Sequence, residues 1–232
     1  LSEMFVVRQA YLEKAQRFVR FHGKTNFGNG GIIQDVLYNI KNYGLMPESA
    51  FPGLNYDEEK HVHAEMDALL TAYVTTLIQN NNKKLSPIWL NGFEGILDAY
   101  LGSPSEEFEV DGKTYSPKSY ADSLGLNPDD YVIIGSYTHH PFYEPFVIEI
   151  PDNWLRGSIY NVPLDEMMEI AKHALENGYS VGWGADVSEK GFSWKNGVAI
   201  VADEEAPELD NLEQNKWEAL GSKEKQELLY KF

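Results

Sequence analysis

Apolar residues recur at helical spacing through most of the first hundred positions and then give way to shorter runs with a period of two. Residues 3–21 place Phe5, Leu12, Ala15, Phe18 and Val19 in a helical rhythm, with Ser2 as the N-cap. After a Gly- and Asn-rich loop from Gly23 to Gly31, Ile32, Ile33, Val36, Leu37 and Ile40 predict a second helix that Gly44 stops. Pro47 and Pro52 interrupt the chain, and a longer helix is predicted over 58–79, closed by Asn80 to Asn82. Another is predicted over 88–101. Asp111-Gly112 between short alternating runs then signals a hairpin over 108–115.

From Tyr131 the pattern becomes strand-like at 132–134 and 146–150. Pro163 opens a helix whose Leu164, Met167, Ile170, Ala171 and Leu175 share a face, and Asn177-Gly178 ends it. The run 179–187 reads as a strand with glycines at alternate positions, where close approach to the backbone is expected. One more strand is predicted over 198–202, followed by polar helices near 212–220 and 223–230. Helical first and strand-rich second, the order predicts an α+β arrangement with segregated halves.

Composition narrows the function classes. The 232 residues are 43% hydrophobic, enough for a sizeable core in one or two domains. A formal charge of −17 repels phosphate backbones and anionic lipid surfaces, so neither nucleic acid nor membrane is an expected partner. No apolar run is long enough to span a bilayer. The first residue is leucine, so the chain is read as processed, trimmed or taken from a longer one. Its location is left open: cytoplasmic, or exported if a signal preceded Leu1. With no cysteine, neither disulfides nor thiolate metal sites are available.

Other chemistries find little support. In His61-Val62-His63-Ala64-Glu65, helical geometry puts His61 and Glu65 on one face and His63 nearly opposite, which predicts a surface ion pair rather than a metal site. His139 and His140 are adjacent, and in an extended segment they face opposite sides; joint ligation would need a sharp bend, and packing of one beneath Pro141 and Phe142 is expected instead. No Gly-x-Ser-x-Gly elbow, nucleotide-binding glycine pattern or phosphate loop is present, and no cofactor is expected. Asp129-Asp130 and Asp203-Glu204-Glu205 read as solvated acidic surface.

Three landmarks, Leu1-Ser2-Glu3, Asn29-Gly30-Gly31 and the ordered segment from Asn42 to Pro47, together resemble the helical half of a papain-like cysteine peptidase. Phe5-Val6-Val7-Arg8, the phrase from Ser136 to Tyr143 and the run from Val181 to Val187 are most similar to the bleomycin hydrolase and aminopeptidase C branch. The resemblance implies an α+β papain-like two-part fold with a long insertion. It implies that 1–54 completes a helical half, 55–151 is a mostly helical insertion with a small hairpin, 152–202 is part of a β-rich half and 203–232 is an acidic helical tail.

The resemblance also implies a peptide substrate held along a cleft lined by Asn29, Gly30, Gly31, Ile32, Trp183, Gly184 and Ala185. A wall without side chains lets its own N–H and C=O groups reach a substrate backbone, which gives the glycine pair a physical rationale. Gly182 and Gly184 either clear space for a substrate side chain facing Ile32 or accommodate Trp183 in a crowded sheet. The thiol and imidazole of such an enzyme have no counterpart in this chain and would lie outside it. Two functions follow: part of a cysteine-type peptidase, aminopeptidase-like in its branch, or a catalytically silent fragment or peptide-binding module. The branch also forms oligomers, so a homo-oligomer is compatible with the resemblance.

Overall fold

In the computed structural model, residues 1–56, 59–82, 84–184, 187–188 and 191–199 are described. The chain divides into two compact units, residues 1–182 and 183–232. In the first, helix α1 (Glu3–Arg20) starts as its sequence predicts: Ser2 accepts from the Phe5 N–H at 3.0 Å, and its hydroxyl donates to the Phe51 carbonyl. That satisfies an amide the helix leaves orphaned and pins the helix start to a distant loop.

Helix α2 (Ile33–Tyr43) ends at Gly44, whose φ of +85° suits glycine. A Cβ there would also lie 2.2 Å from the Pro117 carbonyl oxygen. Helix α3 (Ala64–Ile78) begins six residues later than the periodicity predicts. The Tyr56 hydroxyl accepts from the Val62 N–H at 3.0 Å and keeps that stretch out of the helix. The expected His61–Glu65 ion pair is absent among the described residues; His61 precedes the helix, and Glu65 accepts from the Tyr100 hydroxyl at 2.6 Å. Helix α4 (Trp89–Leu101) matches its expected span.

Helices α1, α3 and α4 share one core: Phe5, Leu12 and Ala15 pack with Met66, Leu70, Val74, Phe93, Leu97 and Leu101. Arg8, buried on α1, bonds the Asp98 carboxylate of α4 at 2.7 Å. The core thus runs across the division at residues 54 and 55. The hairpin β1 (Phe108–Val110) and β2 (Lys113–Tyr115) turns on Asp111 and Gly112, both at positive φ, the backbone a two-residue type I′ turn requires. Helix α5 (Pro117–Ser123), which the sequence reading omits, follows with Ser116 as its N-cap.

A three-stranded sheet, ordered β3-β5-β4, completes the first unit. Strand β3 (Ile134–Gly135) and strand β4 (Pro145–Val147) are shorter than expected, and the central strand, β5 (Ser158–Asn161), is an unforeseen one. Strand β5 runs parallel to β3 and antiparallel to β4. Helix α6 (Leu164–Glu176) starts after Pro163 and ends before Gly178, as expected, yet none of its residues is buried.

The stretch 179–184 is not a strand: it has no ladder partner among the described residues. In the second unit, β6 (Phe192–Ser193) pairs with β7 (Val198–Ala199), the described part of the strand expected over 198–202. Ala185, the run 203–205 and the expected C-terminal helices lie outside the described residues. Among the described residues no helix is long and apolar enough to cross a membrane.

Candidate functional site: a glycine ledge held from below

The loop Asn29-Gly30-Gly31-Ile32 joins α1 to α2, and its shape is set by residues beneath it. Lys14 is buried on the inner side of α1. Its ammonium donates to the Gly28 carbonyl at 2.9 Å and to the Gly30 carbonyl. Lys14 lies 5.8 Å from the ring centroids of both Tyr11 and Trp154, so aromatic faces supply part of the environment its charge loses in leaving water. Burial pushes the ammonium below its ordinary range, and the carboxylates of Asp35, Asp152 and Asp67 pull against that shift.

Asp35 completes the support from α2. At the third position of the helix, its carboxylate accepts from the Ile32 N–H at 3.2 Å, as an acidic residue near a helix N-terminus does. The same oxygen accepts from the Trp154 indole at 2.7 Å, while the other has no partner. Burial raises the Asp35 carboxyl above its ordinary value, and the bonds from Trp154 and Ile32 and the charge of Lys14 oppose the rise. One loop is thereby fixed by a cation from α1, an anion from α2 and a tryptophan from the turn before β5.

The two glycines differ. A Cβ on Gly30 would lie 2.2 Å from the Asp152 carboxylate, and its carbonyl is already taken by Lys14. Gly31 is exposed, and neither its N–H nor its C=O has a partner among the described residues. A Cβ on Gly31 would lie 2.7 Å from the Asp35 Oδ2 atom that Trp154 and Ile32 already hold. Gly31 is therefore the one of the pair with both backbone groups open, and its bareness is enforced from behind by Asp35. Asn29 is exposed and Ile32 half-buried beside it.

The second set of predicted residues falls elsewhere. Gly182 closes the first unit; a Cβ there would meet only the Ile33 Cδ1 atom at 3.6 Å, an ordinary contact. The close approach expected at that glycine is thus not made by the chain itself. Trp183 and Gly184 belong to the second unit, where Trp183 is 71% exposed. Lys14, Asp35, Asp152 and Trp154 escape the sequence reading. Only Asp35 carries a local signal, three residues after the helix-capping position; Lys14 looks like any lysine beside an apolar stripe.

The histidine motifs also depart from expectation. His61 and His63 both precede α3, with ring centroids 5.4 Å apart, and His63 Nε2 is buried without a partner. His139 and His140 do not face opposite sides: the chain turns at residues 138–139, and both Nε2 atoms reach the Glu149 carboxylate. His140 stacks on Phe146, centroids 4.1 Å apart, rather than packing beneath Pro141 and Phe142.

A search of curated proteins found no match. Among solved structures, the chain is similar to PepW from Lactobacillus rhamnosis HN001, with a TM-score of 0.56 and 19% identity over 80% of this chain. The match covers 52% of that chain, so this chain spans about half its length. At that identity the likeness is one of fold, and the α+β arrangement is the papain-like one. The model of the Peptidase C1-like family matches residues 3–224, nearly the whole sequence: this chain belongs to that family.

Proposed function

We propose that this chain holds an extended peptide along Gly31 and forms the substrate-binding wall of a cysteine-type peptidase, aminopeptidase-like in its branch. The observation that carries the reading is the pair of open backbone groups on Gly31, presented by a loop that Lys14 and Asp35 hold still. A residue with a free N–H and a free C=O and no side chain offers a peptide the two antiparallel bonds of a strand pairing. Because the loop is fixed beforehand, little ordering entropy opposes that pairing.

Asn29 and Ile32 are the further members of the wall in this proposal, and Trp183, Gly184 and Ala185 are assigned to peptide contact by family resemblance alone. The reaction class needs a thiolate to attack the scissile carbonyl and an imidazolium to protonate the leaving amine. With no cysteine in its sequence, this chain supplies the wall and not the nucleophile. Taken alone, then, it binds peptides without cleaving them.

The test is a titration of the isolated chain, carrying 15N-glycine, with a short blocked peptide, alongside Gly31→Pro, which deletes the N–H. The expected result is a saturable shift of the Gly31 amide, binding at least tenfold weaker in Gly31→Pro with the circular dichroism spectrum retained, and no hydrolysis. Equal binding by the proline variant would overturn the wall. Hydrolysis by this cysteine-free chain would overturn the cysteine-type reading.

A further inference from the structure

The turn 137–141 and the segment after β4 bring His139, His140 and Glu149 together far along the chain from the glycine ledge, and we infer that these three side chains are the ligands of a divalent metal-ion site that takes zinc.

The spacing is that of a coordination shell. His139 Nε2 lies 3.3 Å from Glu149 Oε2, and His140 Nε2 lies 3.1 Å from both carboxylate oxygens. One ligand atom from each residue falls within 4.8 Å of the others. Metal–ligand bonds of about 2.0–2.1 Å at tetrahedral angles separate neighbouring ligand atoms by about 3.3 Å, so an ion fits among these atoms with only small side-chain shifts. Two imidazoles and a carboxylate are a donor set that zinc and its neighbours favour over calcium or magnesium. Three protein ligands leave room for water on a four-coordinate ion.

Both halves of the site are built from buried amides. Asn161, fully buried on β5, accepts from the Tyr137 N–H at 2.9 Å and donates to the carbonyls of Tyr137, His140 and Pro141. These bonds make the bend that turns adjacent histidines to one side. Asn153, also buried, donates to the Ile148 carbonyl at 3.0 Å and so fixes the backbone next to Glu149. Rings then set the imidazoles: His140 stacks on Phe146, and Tyr137 meets His139 edge-on at 5.8 Å. Arg156, the cation lining the same hollow, sits over the Phe21 ring at 5.6 Å. A bound ion would clip the turn to the end of β4.

Calorimetric titration of the full 232-residue chain with zinc chloride, after exhaustive chelation, tests the site. The expected result is one equivalent bound, at least tenfold more weakly by Glu149→Gln and His140→Ala, and unchanged in His61→Ala, which controls for the other histidine pair. Cobalt loading is expected to give the visible absorption of a nitrogen- and oxygen-ligated ion, abolished in the His139→Ala, His140→Ala double variant. Glu149 and His139 are exposed, and the variants' zinc-free melting curves should match the parent's within a few degrees. Absence of saturable binding to the parent, binding that persists in the double variant, or loss of binding in His61→Ala would each overturn the proposal.

Discussion

The glycine loop and the histidine turn are both shaped from beneath by a buried polar side chain, but one support is charged and the other neutral. Lys14 holds the ledge as a cation whose burial works against it, balanced by carboxylates from other elements. Asn161 holds the turn as an amide with both its oxygen and its nitrogen in use. A fully satisfied neutral group carries little desolvation cost, whereas a buried ammonium gives back much of what its bonds contribute. The difference implies that the neutral support matters more to stability, while the charged one makes its loop responsive to pH and to neighbouring charge.

Asn161→Leu is the strongest way to break the comparison. It strands the Tyr137 N–H and removes the donor for three carbonyls at a site with no exposure. A loss of about 3 kcal/mol is expected in denaturant unfolding. Lys14→Met is expected to cost less, about 1–2 kcal/mol, because removing the buried charge offsets part of the two lost bonds. Should the methionine variant be the less stable of the two, the charged support is the stronger one.

Gly31→Ala comes next. The added methyl must displace Asp35 Oδ2 from beneath the ledge, at about 1 kcal/mol, with peptide affinity reduced alongside. Gly28→Ala is its control: a Cβ there meets nothing within 4 Å, and a change within about 0.5 kcal/mol is expected.

The smallest effects are opposite slopes with pH. Asp35 has its folded value raised above the ordinary 3.8, so its contribution is fully present below that pH and is lost as pH rises through the folded value. Glu149 has its value lowered from 4.5, so its contribution is present above that pH and is lost as pH falls. Melting curves of Asp35→Asn and Glu149→Gln against the parent, from about pH 6 to about pH 3.5, should therefore diverge in opposite directions as acid is added. Parallel slopes would mean that the two carboxylates sit in similar surroundings.

Elements specified by neighbouring residues were legible in the sequence. Ser2 and Gly44 bound their helices, and Asp111-Gly112 makes its turn, because each signal acts within a few residues. Strand β5 was not legible. Its four residues pair with residues 134–135 on one side and 145–147 on the other, and nothing in Ser158-Ile159-Tyr160-Asn161 announces those partners. The converse holds at 179–184, where a strand-like pattern meets no ladder partner among the described residues.

The candidate site divides in the same way. The glycine pair could be read from the residues, but not that Lys14 would occupy one carbonyl and leave Gly31 as the open member. The bend at residues 138–139 leaves no local signal because it depends on Asn161, more than twenty residues downstream.

The continuity of the helical core across residues 54 and 55 limits how this chain can be trimmed. Met66, Leu70, Val74, Phe93, Leu97 and Leu101 lie against Phe5, Leu12 and Ala15. A shortened version that dropped the middle helices would leave the inward side of the first one wet and strand the Arg8 guanidinium without its carboxylate. The segment that by family resemblance is an insertion is thus structurally indispensable to the helix that carries the ledge's lysine.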